Sequence, residues 1–133
     1  MRRVALVAVV VDDYDKAIRF YTEALGFRLA EDSPRAGGDG SRWVVVEPDT
    51  EGAGTALLLA RADGEAQRAR IGDQTGGRVG FFLYTDDLAR DHARMLAAGV
   101  TFEQAPRHEP YGTVAVFQDL YGNRWDLLQP AAG

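Results

Sequence analysis

Apolar positions along the chain fall into two alternating rhythms. Val7 to Val11 is a short β-branched run suited to a buried strand. Beyond Asp12-Asp13, the residues Tyr14, Ala17, Ile18, Tyr21 and Leu25 recur at three- and four-residue spacing, which lines them up on one helix face. Asp13 stands where a carboxylate can accept a hydrogen bond from an orphan backbone N–H, and Gly26 where a helix ends in left-handed backbone. Phe27-Arg28-Leu29 then resumes extended structure. The series returns in the second half: a strand over Val79 to Thr85, a cap at Asp86-Asp87, a helix over Leu88 to Ala98, a stop at Gly99 and a strand over Val100-Thr101-Phe102. Two further strands close each half, Arg42 to Glu47 and Thr55 to Ala60 in the first, Thr113 to Gln118 and Arg124 to Gln129 in the second. Asp119-Leu120-Tyr121-Gly122-Asn123 joins the last pair with turn residues.

This internal duplication predicts an α+β fold of two tandem βαβββ modules. Module one is expected over 1–61, a linker over 62–77 with a short helix around Glu65 to Ile71, and module two over 78–133, the whole forming a single domain 1–133. Two such modules can join their sheets into a curved, cup-like surface with the helices packed outside. The concave side must then be filled by side chains or by a ligand. Pro34 to Ser41 is glycine-rich and expected to be mobile. It contains no phosphate-loop or dinucleotide-loop glycine pattern.

Composition narrows the function classes. The apolar and charged fractions, 46% and 26%, are those of an ordinary globular domain. A net charge of −5 argues against nucleic acid or an anionic membrane as partner and suits a neutral or cationic small molecule. The absence of cysteine excludes disulfides, thiolate nucleophiles and thiolate metal sites. Met1-Arg2-Arg3 followed by Val4 to Val11 imitates a signal peptide. The apolar run is too short, however, and it ends in two aspartates with no small-residue cleavage site, so a buried strand and a cytoplasmic location are expected.

The stretch from Asp12 to Phe27 resembles the first-module signature of the vicinal oxygen chelate superfamily. Asp119 to Leu127 resembles that family's closing "DPDGNxxEL" strand with two substitutions. The superfamily includes glyoxalase I, extradiol dioxygenases, and fosfomycin- and bleomycin-resistance proteins. The resemblance spans nearly the whole chain and implies the fold far more strongly than any one activity. Metal-dependent members carry ligands on the first and last strand of each module. Transferred to this chain, those positions fall on Leu6, on Leu57 (or Leu58 if the register slips by one), on Gly80 and on Asp126. Only Asp126 can coordinate a cation, far short of the three or four donors that a divalent transition metal requires. His92 is expected on the helix face behind the sheet and His108 in a proline-bounded loop, so neither restores the site. No metal and no other cofactor is therefore expected.

The expected cup lining is Leu6, Ala8, Val10, Leu57, Gly80, Phe82 and Tyr84, with Tyr111 at the mouth and Asp126 as the main polar anchor. Gly80 would leave space there. Period-two alternation aims Arg124, Asp126 and Leu128 to one face and Trp125 and Leu127 to the other, with Trp125 in the core. Either Arg42 or Trp43 faces the cup. Asp126 can anchor a ligand, serve as acid or base, or remain as a structural ion pair. The resemblance implies a metal-independent binding protein that sequesters a hydrophobic or aromatic natural product, as in antibiotic resistance, and acts as a homodimer. The alternatives are a metal-independent lyase, isomerase or cyclase using Asp126, and an accessory domain with a collapsed pocket.

Overall fold

The computed structural model describes residues 1–48, 52 and 54–132. Backbone contacts group the chain into two compact units, Met1–Ile71 and Gly72–Gly133. Each carries its own antiparallel-dominated sheet with one parallel strand pair, the mixed α+β architecture that the duplicated pattern predicts.

The first unit runs β1 (Leu6–Val11), α1 (Tyr14–Arg19), a π turn (Phe20–Ala24), β2 (Arg28–Pro34), β3 (Arg42–Glu47), β4 (Ala56–Arg61) and the short α2 (Glu65–Arg68). Its strand order is β1-β4-β3-β2, with β1 parallel to β4. Laterally paired residues share a sheet face. The pairs Val7↔Leu57, Val9↔Leu59 and Val46↔Leu57 therefore put one set of side chains toward α1. There Val9, Val11, Val44, Val46 and Leu59 meet Ala17 and Tyr21, all fully buried. Burying each such aliphatic side chain contributes about 2 kcal/mol.

The Asp13 carboxylate caps α1 by accepting from the Lys16 N–H at 2.9 Å. The helix does not stay α-helical as far as Gly26. From Phe20 it widens, with Leu25 N–H donating to the Phe20 carbonyl at 3.2 Å. The Thr22 hydroxyl donates to the Ile18 carbonyl at 2.7 Å and competes with the regular ladder. β2 is longer than its pattern suggests. It crosses a bulge between Leu29 and Glu31 and ends on Pro34, which an edge strand tolerates because no ladder N–H is required there.

The second unit runs β5 (Phe81–Tyr84), α3 (Leu88–Ala97), β6 (Thr101–Phe102), β7 (Arg107–Glu109), β8 (Gly112–Gln118) and β9 (Arg124–Pro130). The order is β5-β9-β8-β6, with β5 parallel to β9 and β7 also paired to β8. β7 corrects the reading of Pro106 to Pro110 as a loop. β6 leaves the edge of β8 after two residues, and the segment between the prolines takes its place.

Asp87 caps α3 through the Arg90 N–H at 3.0 Å, and Gly99 ends it with φ +88°. Behind the sheet, Trp125 stacks on Phe81 with centroids 4.7 Å apart and on Phe117 at 5.6 Å, so it belongs to the core as expected. The turn after β8 is locked by the buried Asp119. Its carboxylate accepts from the N–H groups of Tyr121 and Asn123 at 3.0 Å and from the Asn123 amide at 2.9 Å.

Candidate functional site

Strand register decides which predicted residues stand together. In the second unit Phe82 pairs with Asp126 and Asp126 with Val116, while Tyr84 pairs with Leu128, Leu128 with Val114 and Val114 with Arg107. These residues occupy one face, opposite the Trp125, Phe117 and Phe102 face that α3 covers through His92 and Met95. Phe82 and Tyr84 remain 55% and 66% exposed, large values for aromatic side chains.

Asp126 sits at the centre of this face and is half-buried. Burial lifts its pKa above the ordinary value, and the charges of Arg107 and Arg124 offset only part of the rise. Neither arginine is committed to Asp126. Arg124 holds Glu103 through two bonds of 2.8 and 2.9 Å and donates to the Gly77 carbonyl at 3.1 Å. Arg107 holds Glu109 at 2.9 Å. Tyr111 is exposed in the β7–β8 turn, near enough to Arg107 to act on its charge.

Gly80 differs from its expected role. A Cβ there would meet Thr75 Cγ2 at 2.3 Å, so the methyl group of Thr75 already fills the space that the glycine leaves. Thr75 is held in place by its hydroxyl, which donates to the Arg78 carbonyl at 2.6 Å.

In the first unit the face away from α1 carries Leu6, Ala8 and Val10 from β1, Leu58 from β4, and Trp43, Val45 and Glu47 from β3. Leu57 is not among them. It pairs with Val7 and Val46 and lies 8% exposed on the helix side, so the register shifted by one, Leu58, describes this face. The choice between Arg42 and Trp43 is also decided. The Arg42 guanidinium lies 5.0 Å over the ring of Tyr14, and its backbone N–H donates to the Tyr14 hydroxyl at 3.1 Å. It also bridges Asp15 at 3.0 Å and Asp32 at 2.8 Å on the α1 side, which leaves Trp43 on the opposite face.

Trp43 and Leu6 line a depression of about 220 Å³ with Val45, Ala56, Glu31 and Glu47. Glu47, only 6% exposed, pairs with Arg28. The sequence pattern hid Glu47 because it ends an otherwise apolar strand, where a carboxylate ordinarily marks the turn into solvent. Arg107 is hidden in the sequence because Pro106 and Pro110 bound its short strand and give it the pattern of a loop.

The residues do not fit a catalytic metal. Leu6, Leu57 or Leu58, and Gly80 offer no donor atom, which leaves Asp126 alone. Among the described residues no three His, Asp or Glu side chains gather where they could hold an ion. His92 packs edge-on against Phe102 at 4.5 Å, and His108 Nδ1 lies 3.0 Å from the Thr113 hydroxyl, both remote in role from Asp126. Among the described residues no helix is long and apolar enough to cross a membrane.

Comparison with known proteins agrees with this fold. The model of the Glyoxalase/Bleomycin resistance protein/Dioxygenase superfamily matches residues 3–127. An uncharacterized protein of Shewanella frigidimarina (strain NCIMB 400) is 54% identical, the match covering 92% of this chain and 90% of that protein. Among solved structures, UcmS2 superposes with a TM-score of 0.81 at 32% identity, over 96% of this chain and 98% of that one. TnmS3, an antibiotic binding protein from Streptomyces sp. CB03234, gives a TM-score of 0.77 at 34% identity, over 98% of both chains. The chain belongs to the glyoxalase/bleomycin resistance/dioxygenase superfamily.

Proposed function

We propose that this member of the superfamily is a metal-independent binding protein that sequesters a hydrophobic or aromatic small molecule, with Asp126 as its polar anchor. The observation that carries the reading is the exposed β5 edge of the second unit's Asp126 face, beside the buried Val114, Val116 and Leu128. Two exposed rings, Phe82 and Tyr84, flank a half-buried carboxylate to which no described residue donates a hydrogen bond. Exposed aromatic surface around one directional polar group suits recognition of a small apolar ligand. Leu6, Ala8 and Trp43 give the first unit an apolar face of its own, a second candidate surface for a ligand. Similarity to TnmS3, an antibiotic binding protein, supports the same reading. The protein is proposed to act as a cytoplasmic homodimer.

A second reading, a metal-independent lyase, isomerase or cyclase, is favoured only by the raised pKa of Asp126, which would suit a general acid or base. The Asp126→Asn variant separates the two, because it keeps the shape and one acceptor but removes the charge. In a binder, affinity falls by about 1–3 kcal/mol and the recovered ligand is chemically unchanged. In an enzyme, binding largely persists while turnover falls by about 10²–10⁴-fold. Unchanged affinity with no turnover in the parent protein would remove Asp126 from either role.

A further inference from the structure

On the Asp126 face of the second unit, pairing the charged groups of the described residues leaves one over. Glu103 is neutralised by Arg124 through two hydrogen bonds, and Glu109 by Arg107 through one. Asp126 lies between Phe82 and Val116, with both guanidiniums close enough to act on it through their charge but bonded elsewhere. The face therefore carries one uncompensated negative charge, partly withdrawn from water and bordered by exposed aromatic rings.

We infer that the ligand held here is an aromatic or polycyclic body bearing a protonated amine, with the ammonium placed against Asp126. This rests on the proposed function and specifies the ligand's chemistry. An ammonium supplies the missing charge together with up to three donors, whereas a hydroxyl supplies a single neutral donor. A carboxylate would meet Asp126 as a like charge and would find both arginines already bonded to glutamates. The rings of Phe82 and Tyr84 add a preference of the same sign, since aromatic faces attract cations. Burial of Asp126 works in the same direction, because a poorly solvated carboxylate gains more from an incoming cation. The chain's net charge of −5 favours the approach of a cation at long range.

Three probes with one ring system distinguish these cases by calorimetry at neutral pH: 2-naphthylmethylamine, 2-naphthylmethanol and 2-naphthoate. The amine is expected to bind about 10-fold or more tightly than the alcohol, the gain of a charge-assisted over a neutral hydrogen bond. The naphthoate is expected to bind weakest. In Asp126→Asn the gap between amine and alcohol should close to within about 3-fold. The parent protein's rank order needs no variant, so a variant that folds poorly leaves the test intact. Equal binding of amine and alcohol, both weakened in Asp126→Asn, would overturn the ammonium assignment and leave the proposed function standing. Tightest binding of naphthoate would transfer the anchor to Arg107 and Arg124 and overturn the assignment. Binding of none of the three would count against the proposed function as well.

Discussion

At the residue scale, Asp126 and Asp32 should respond to acid in opposite directions. Burial raises the Asp126 pKa above its ordinary 3.8, so the folded chain holds that proton more tightly than the unfolded chain. As pH climbs from below 3.8 through the folded value, the folded state must accept a poorly solvated charge, and stability falls. The penalty is present above the folded value. Asp126→Asn should therefore raise the melting temperature at pH 7 and give no gain near pH 3, by scanning calorimetry across that range. A variant equally or more destabilised at pH 7 than at pH 3 would mean that Asp126 is paired in the folded protein. Asp32 is the reverse case: hydrogen bonding from Arg42 lowers its pKa, so its contribution is present above 3.8 and is lost as pH falls through the lowered value. The alternation along β9 was legible in the sequence and placed Asp126 opposite Trp125. Phe82, Tyr84 and Arg124 were legible beside it, but Arg107 was not, because it reaches that face through a strand pairing that no local pattern announces.

Among the elements, the two principal helices begin on the same device. Asp13 and Asp87 each accept a backbone N–H of the third residue beyond, at 2.9 and 3.0 Å. Losing such a cap costs about 1 kcal/mol. Asp87→Ala should lower unfolding free energy by roughly that amount in urea titration while leaving the m-value unchanged. A loss below about 0.3 kcal/mol would show that packing of Leu88 and Met95 alone sets the helix start.

Both caps, both stopping glycines and most strands could be read from the sequence, because they depend on neighbours close along the chain. The π turn after Arg19, the bulge in β2 and the hand-over from β6 to β7 could not, because each depends on which strand or helix turn lies alongside. Leu57 illustrates the limit. Ala56 to Ala60 is apolar throughout, so its pattern has no period-two signal, and only the pairing with Val7 and Val46 fixes which side faces α1. Thr75 makes a similar point about Gly80. A glycine in a strand pattern reads as open space, yet a linker side chain from outside the strand fills it.

At the scale of the whole molecule, the superfamily fold supports both catalysts and binders, so membership does not choose between them. The proposed choice rests on residues: of the four positions to which the resemblance carries metal ligands, three hold leucine or glycine. The remaining carboxylate lies beside exposed aromatic rings. Native mass spectrometry of the purified protein, incubated with a panel of hydrophobic and aromatic natural products that includes amine-bearing members, tests this most directly. The account predicts a stoichiometric complex at the mass of protein plus intact ligand, with no transition-metal adduct, and release of that ligand with its mass unaltered. A released product of altered mass, or a stoichiometric zinc, iron, manganese or nickel ion on the protein, would contradict it.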